Sequence, residues 1–429
     1  MGGLIFAAPA SGSGKTTVTL GVLRALSRAG HPIKSAKSGP DYIDPRFHAA
    51  ASGSDCVNLD AWAMTPERVM ALATVPADTT LLIEGAMGLF DGAPPMGKGS
   101  SADLARILQI PVVLIIDCGR MAGSVAALAR GFIGHDPQVA VAGVILNNVG
   151  SARHEVMLRD ALATQQIRIF GAVPRDKGLS HPSRHLGLEQ AQERPDLDAF
   201  LDHAADVMDA HLDMAALQAL ATPMPQAKSK RLPPPAQTIA VAHDRAFGFH
   251  YPHMLDDWRD QGADITLFSP LADDPVPTAD FVFLPGGYPE LHAGILAAKQ
   301  TFMQSLRNAA QISDIYGECG GYMTLGKGLI DADGNRHQMA GLLALETSFA
   351  ARKLHLGYRD IIATDGPIRG AWKAHEFHYA TTIRAGGAPL FTAQDAIGTA
   401  LPDMGLINGR VQGSFAHIID AAYTDCMGV

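Results

Sequence analysis

The stretch AAPASGSGKTTVT (residues 7–19) sets small residues ahead of a lysine and two threonines. It follows GLIFAAP, a short apolar run of strand character. It leads into TTVTLGVLRALSRAG, a helical pattern that ends at Gly30, a natural position for a residue just past a helix end. In a strand–loop–helix setting these residue types suit a phosphate. Glycines let the backbone N–H groups curl around it, a lysine reaches the β/γ oxygens, and a hydroxyl serves Mg²⁺. Gly12, Ser13, Gly14, Lys15, Thr16 and Thr17 are therefore read as the ATP-binding loop. The strict pattern requires glycine at its first position, where this chain has Pro9, so the loop is a variant.

Working outward, TLLIEGA, PVVLIIDC and VAGVILNNV are further strand candidates separated by helical stretches. Strand, loop and helix in repetition imply a parallel sheet wrapped by helices, continuing to about Ala221. Residues 222–237, TPMPQAKSKRLPPPAQ, contain prolines that forbid a helix and basic residues that favour solvent. They read as an interdomain linker. The rhythm then restarts with TIAVAHD, DITLFSP, DFVFLPGG and ISDIYGECGG. Near the end, AHEFHYATTIRA and GLINGRVQGSFAHI alternate like antiparallel strands. The expectation is two α/β domains, 1–221 and 238–429.

Composition narrows the classes. The chain has 429 residues, 47% hydrophobic and 18% charged, with a net charge of −9. This allows substantial cores and argues against nonspecific nucleic-acid binding, which needs a basic face. The apolar runs at 112–116 and 139–146 are far short of a membrane span, and a signal-peptide pattern is missing, so a cytoplasmic protein is expected. Cys56, Cys118, Cys319 and Cys426 form no metal-type pairs and read as reduced thiols.

Within the first domain, Glu84 ends the strand pattern LLIEG, where ligands of parallel sheets sit, and is expected to hold Mg²⁺ together with Thr16 and Asp41. Asp117 ends another strand and competes for that role. KSGPDYIDP gathers Lys37, Asp41, Tyr42 and Asp44 on a proline-bounded loop, and Asp91 follows in GLFDG. With Glu84 these are the expected substrate contacts. Asn147 or Asn148, and the turn at Pro174 and Arg175, are expected to read the adenine.

In the second domain, DIYGECGGYMTLG (residues 314–326) fits a nucleophile elbow. Gly317, Gly320 and Gly321 leave room for Cys319 to stand proud, and the helix that follows is expected to lower the thiol's pKa. His417 in GSFAHI is the expected base, with His375 and His378 of AHEFHY as competitors. Backbone N–H groups of Gly286 and Gly287, in LPGGYPE, and of Gly320 are expected to face an oxyanion.

Together LPGGYPE, YGECGGYMTLG, AHEFHY and GSFAHI resemble the glutaminase domain of type I glutamine amidotransferases, in the branch serving corrinoid biosynthesis. APASGSGKTTVT, KSGPDYIDP and LLIEGAMGLFDG resemble the ATP-dependent amide synthetase half of the same enzymes, itself similar to dethiobiotin synthetase. The resemblance covers essentially the whole chain. It implies a P-loop NTPase-like sheet followed by an amidotransferase-like domain, and glutamine, ATP and Mg²⁺ as reactants. It also implies a corrin polycarboxylate, hydrogenobyrinic or cobyrinic acid, amidated at its a and c acetates. A homodimer is compatible with it. The wider pattern places a glutamate two residues beyond the catalytic histidine, where this chain has Ile419. Glu376 is then a distant alternative for orienting the base.

Two other classes differ in recognisable residues. P-loop partitioning ATPases carry a lysine early in the loop, where Ala10 stands here, and have no need of a cysteine elbow. A corrinoid-binding module with an inactive glutaminase would not require Cys319 and His417.

Overall fold

The computed structural model describes residues 2–179 and 194–422, together with the backbone of two short paired strands at Ser183–Arg184 and Gly187–Leu188. Cys426 lies outside the described residues. The chain divides into two compact units, Met1–Lys230 and Arg231–Val429.

The first unit alternates β1 (Gly3–Ala7), α1 (Lys15–Arg28), β2 (Ile33–Ser38), α2 (Asp44–Ser52), β3 (Cys56–Leu59), α3 (Pro66–Leu72) and β4 (Thr80–Glu84). It continues through α4 (Ser101–Leu108), β5 (Val112–Asp117), α5 (Ser124–His135), β6 (Val141–Val149), α6 (Ala152–Ala163) and β7 (Ile169–Pro174), then, beyond the two short strands, α7 (Leu197–His211) and α8 (Met214–Leu220). Seven strands pair in the order β3-β2-β4-β1-β5-β6-β7, every pairing parallel. Parallel strands covered on both faces read as unbroken apolar runs, which is why β1, β4, β5 and β6 stand out in the sequence. IKSAKS (β2) and CVNL (β3) carry polar residues and do not, yet Ser35, Lys37, Ser38 and Asn58 are all buried. Val18, Leu20, Val22, Leu23 and Leu26 of α1 bury against the sheet core with Leu4, Phe6, Val113 and Ile145. Each such side chain contributes roughly 1.5–3 kcal/mol. A methyl on Gly21 would sit 2.7 Å from the Ala204 carbonyl, so its lack of a side chain sets the close approach of α1 to α7.

Within the stretch 222–237, Thr222 exchanges backbone hydrogen bonds with Gly3 in the first unit (2.9 and 3.2 Å). In the second unit, Leu232 is buried and its N–H donates to Asp257 at 2.9 Å.

Continuing the strand numbering past β8 (Ser183–Arg184) and β9 (Gly187–Leu188), the second unit begins with β10 (Thr238–Ala242), α9 (Pro252–Asp260), β11 (Asp264–Phe268), β12 (Phe281–Leu284), α10 (Ala293–Ala298), α11 (Gln300–Ala309), β13 (Asp314–Glu318) and α12 (Gly320–Leu325). There follow β14 (Gly328–Ile330), β15 (Arg336–Gln338), β16 (Ala344–Ser348), β17 (His355–Ala363), β18 (Gly370–His378), β19 (Thr381–Gly386), β20 (Phe391–Asp395), β21 (Ala400–Met404), β22 (Leu406–Asn408), β23 (Val411–Ser414) and β24 (Ala416–Ala421). The main sheet runs β11-β10-β12-β13-β23-β22, and two further sheets run β15-β14-β16-β19 and β21-β20-β17-β18-β24.

The terminal segments pair antiparallel as expected, β18 with β17 and β24, β19 with β16, and β22 with β23, with one exception. AHEFHYATTIRA divides between β18 and β19, which belong to different sheets. GLINGRVQGSFAHI makes three strands, of which β23 pairs parallel with β13. Period-2 patterning reports exposure of alternate residues, not the direction of the partner strand.

Candidate functional site

The loop leaving β1 is shaped by two left-handed glycines, Gly12 at φ 80° and Gly14 at φ 85°, with Gly14 capping α1. Asn147, at the end of β6, donates its side-chain amide to the Ser13 carbonyl at 2.9 Å. It therefore braces the loop from below. Thr17 also turns away, donating to the Leu179 carbonyl at 3.4 Å.

Behind the loop lies a buried charged cluster. Thr16 donates to Glu84 Oε1 at 2.7 Å, and Lys37 Nζ reaches the same oxygen at 2.8 Å and Asp44 Oδ2 at 2.5 Å. His48 Nε2 meets Glu84 Oε2 at 2.6 Å, with Cys56 Sγ 3.6 Å from the other ring nitrogen. Burial works to raise the pKa of Glu84, but Lys37 and His48 outweigh it and hold the carboxyl well below the usual range. Burial likewise opposes the charged form of Lys37, yet Asp44 and Glu84 hold its pKa above the ordinary lysine value. Burial disfavours charge on His48, whereas Cys56 and Glu84 together bring it up to about 10. Lys15 is lowered by burial, with Glu84, Lys37, Asp44 and Asp91 arrayed around it, and its ammonium donates to the Met87 carbonyl.

Asp41 caps α2 by accepting from the N–H groups of Ile43 (2.8 Å) and Asp44 (3.0 Å), and burial with the adjacent Asp44 pushes it up to about 6. Tyr42 is buried beside it. Asp91 is exposed and accepts from Gly88 N–H at 2.9 Å. Together with Phe90, Phe132 and His135 it lines a cavity of about 460 Å³ next to Pro9. Asp117 ends β5 beside the loop. It accepts from Gly119 N–H and the Asn148 amide, both at 2.9 Å. Asn148, Asp117 and Arg175 instead line a cleft of about 560 Å³ that reaches the loop residues 9–13, with the Arg175 guanidinium on the Gly119 carbonyl at 3.1 Å. Pro174 ends β7 just before it.

An ion such as Mg²⁺ would find oxygen donors here. Thr16 and Glu84 already touch, and Asp44 Oδ1 is buried without a hydrogen-bond partner. Hard oxygen donors of this kind fit that ion.

In the second unit Cys319 adopts φ 44°, ψ −101°, between β13 and α12. A non-glycine residue at positive φ is costly, and such strain concentrates at functional sites. Gly320 lies against the 285–289 loop, since a methyl there would sit 3.1 Å from Gly287 N and 2.7 Å from Pro289. Gly286, Gly287 and Gly320 are thus brought together. His417 enters from β24, paired in register with His375 of β18. Its ring lies so near Gly286 that a methyl at that position would come within 2.1 Å of Cε1. Gly286→Ala should therefore displace the ring and cut any turnover that uses Cys319 and His417 about 10²-fold, as misplacement by 1 Å typically does.

The thiol's pKa runs opposite to expectation. Burial pushes Cys319 well above its ordinary value, Glu290 adds to this, and the Gly320 N–H opposes it. A helix of six residues offers too little positive end to offset complete desolvation. Burial also lowers His417 to about 3, with His375 and His378 contributing. The resting pair is therefore neutral thiol and neutral imidazole. Burial pushes Glu290 of the LPGGYPE loop up to about 8.

Glu376 is bonded to partners other than His417. Its Oε2 accepts two bonds from Arg359 (2.9 and 2.7 Å), and its Oε1 lies 3.1 Å from His378 Nε2. Burial would raise it, but His378 and Arg359 hold it down at about 2. His378 stacks on Phe415 at 3.9 Å, and burial lowers His375 to about 4.

His48, Cys56, Glu290, Arg359 and Glu318 escaped the sequence reading. His48, Cys56 and Arg359 lie in ordinary helix and strand patterns that only the register of neighbouring elements brings to a site, whereas Glu290 and Glu318 lie inside LPGGYPE and the cysteine elbow, where their partners were not visible.

Two family models divide the chain. The CobQ/CobB/MinD/ParA nucleotide binding domain matches residues 4–188, and the CobB/CobQ-like glutamine amidotransferase domain matches residues 238–423. The chain belongs to the corrinoid-biosynthesis branch of the glutamine amidotransferases, with a P-loop NTPase-like parallel sheet followed by an amidotransferase domain. It is 54% identical over 431 residues to the hydrogenobyrinate a,c-diamide synthase of Brucella anthropi, spanning 98% of this chain and 99% of that protein. The proteins of that name from Rhizobium meliloti (53%, 98% and 99%) and Rhodobacter capsulatus (51%, 97% and 98%) are similar over the same extent. Among the described residues, no helix is long and apolar enough to cross a membrane.

Proposed function

We propose that the protein amidates the a and c acetate carboxylates of hydrogenobyrinate in cobalamin biosynthesis, consuming ATP and glutamine. One observation carries the reading: a braced glycine loop backed by the Thr16–Glu84–Lys37 cluster, and a strained Cys319 and a His417 that meet the same 285–289 loop, occur in a single chain whose relatives bear that name. Amide synthesis is assigned to residues 1–221, with 222–237 as the connection, and glutamine hydrolysis to 238–429. ATP and glutamine are cytoplasmic metabolites, which supports a cytoplasmic setting.

A carboxylate does not react with ammonia, because its oxygen is a poor leaving group. Phosphoryl transfer from ATP converts it to an acyl phosphate, which ammonia then displaces. Such transfer is achieved by positioning and charge neutralisation. The N–H groups of residues 12–17 cradle the phosphates, and the Lys15 ammonium exchanges the Met87 carbonyl for phosphate oxygens. Thr16 and Glu84, with Asp41 or Asp44 nearby, would hold Mg²⁺, which would supply further positive charge. Lys37, Asp41, Tyr42, Asp44 and Asp91 are assigned to orienting the corrin carboxylates. Arg175 and Asn148 are assigned to the nucleotide's base.

In the second unit the Cys319 sulfur attacks the side-chain amide carbon of glutamine while His417 accepts the thiol proton. The N–H groups of Gly286, Gly287 and Gly320 face the developing oxyanion. His417 returns the proton to the departing ammonia, and water hydrolyses the thioester to release glutamate.

The decisive test incubates the protein with ATP, Mg²⁺, glutamine and either hydrogenobyrinic or cobyrinic acid, followed by mass spectrometry. Two successive amidations of the cobalt-free acid are expected. Conversion of neither acid would sink the reading.

A further inference from the structure

The carboxylate that the wider amidotransferase pattern places two residues beyond the base is missing, and buried Ile419 fills that position. Another strand brings one to the same ring. Glu318 is the last residue of β13, immediately before Cys319, and pairs in register with Ser414 of β23. Two residues beyond Ser414 the chain enters β24, which carries His417 back toward Glu318. Glu318 Oε1 accepts the Ile418 N–H at 3.0 Å, and Oε2 lies 3.7 Å from His417 Nδ1. Both side chains are essentially inaccessible, at 2% and 0% exposure.

We propose that Glu318 is the positioning residue of the glutaminase base, holding the His417 imidazole with Nδ1–H toward its carboxyl so that Nε2 serves Cys319. The bond to Ile418 N–H fixes the carboxyl plane from the residue next to His417, so base and orienter move as one unit. A spacing of 3.7 Å is loose for a hydrogen bond, and catalytic contacts of this kind tighten when substrate binds. Proton transfer from Cys319 Sγ to Nε2 creates an imidazolium in a site that water does not reach. A carboxyl group beside Nδ1 lowers the cost of that charge and selects the productive tautomer. The other nearby carboxylate, Glu376, is engaged by Arg359 and His378. Burial pushes Glu318 up to about 8 against the Ile418 N–H and the Tyr316 side chain, which pull the other way.

This inference rests on the glutaminase reading of Cys319 and His417. The test compares Glu318→Gln and Glu318→Asp in the full-length protein, measuring kcat and KM for glutamine hydrolysis alongside amidation driven by ammonium salt. Glutamine at 318 keeps an oxygen for the Ile418 N–H but removes the carboxylate. Its kcat should fall about 10²-fold or more with KM within about twofold of wild type, and ammonium-driven amidation should be untouched. Aspartate restores the carboxylate and should recover at least about tenfold of the loss. Wild-type kcat in the glutamine variant, parallel loss of both activities, or an aspartate variant no better than the glutamine one would each overturn the assignment. Absence of glutamine hydrolysis in the wild-type protein would sink both this inference and the reading beneath it.

Discussion

Cys319→Ala is expected to abolish amidation driven by glutamine while amidation driven by concentrated ammonium salt continues. The loss should be at least about 10³-fold, because removing a nucleophile removes the covalent route altogether. The substitution is small and lies at a buried position, 5% exposed, so the fold should survive it. Ammonium-driven turnover is the sensitive control. In the proposed mechanism the acyl phosphate forms in the other unit and does not use the thiol, and free ammonia in equilibrium with the salt can attack it directly. Measuring both nitrogen sources on one preparation separates a dead glutaminase from a misfolded protein. If both activities vanished from a folded variant, the division of labour between the two units would be wrong. If glutamine-driven turnover persisted, Cys319 would not be the nucleophile.

Lys15→Ala should behave differently, stopping amidation with either nitrogen source. Its ammonium lies on the Met87 carbonyl amid Glu84, Lys37, Asp44 and Asp91, ready to exchange that carbonyl for phosphate. Removing one preorganised charge from a transition state typically costs about 10²–10³-fold, roughly 3–4 kcal/mol. Because the lysine is buried among carboxylates, its removal also leaves excess negative charge, and some loss of thermal stability should accompany the loss of rate. ATP consumption followed alongside amide formation is the direct measurement. ATP turnover at the wild-type rate would refute the phosphate-loop assignment. Ammonium rescue that succeeds for Cys319→Ala and fails for Lys15→Ala is the pattern that distinguishes the two halves.

Sequence reading was most effective where chemistry is local. The phosphate loop and the cysteine elbow are contiguous, and each needs glycines at fixed offsets, so Gly12, Gly14, Lys15 and Cys319 could be named directly. Strands β1, β4, β5 and β6 were legible because burial on both faces leaves unbroken apolar runs. Strand β2 was not, because Lys37 is buried by ion pairing rather than by apolarity. Long-range partnerships were illegible for a related reason. His48 reaches Glu84 across 36 positions and Glu318 reaches Ile418 across 100, and neither separation carries a periodic signal. Asn147 shows a third kind of difficulty. Its place at a strand end was evident, but whether its amide faces ligand or loop depends on the Ser13 carbonyl beneath it. The pKa of Cys319 failed for a physical reason: the short helix was visible in the sequence, and the depth of burial was not.

The backbone at Cys319 has one more consequence. Holding a branched α-carbon at φ 44° costs about 1–3 kcal/mol, a sum that glycine would not incur. Durability and turnover therefore compete at this single position: the amino acid that the turn would prefer carries no sulfur. The rest of the unit must be robust enough to carry that deficit, and any search for a hardier variant should leave this residue alone and look elsewhere in the chain.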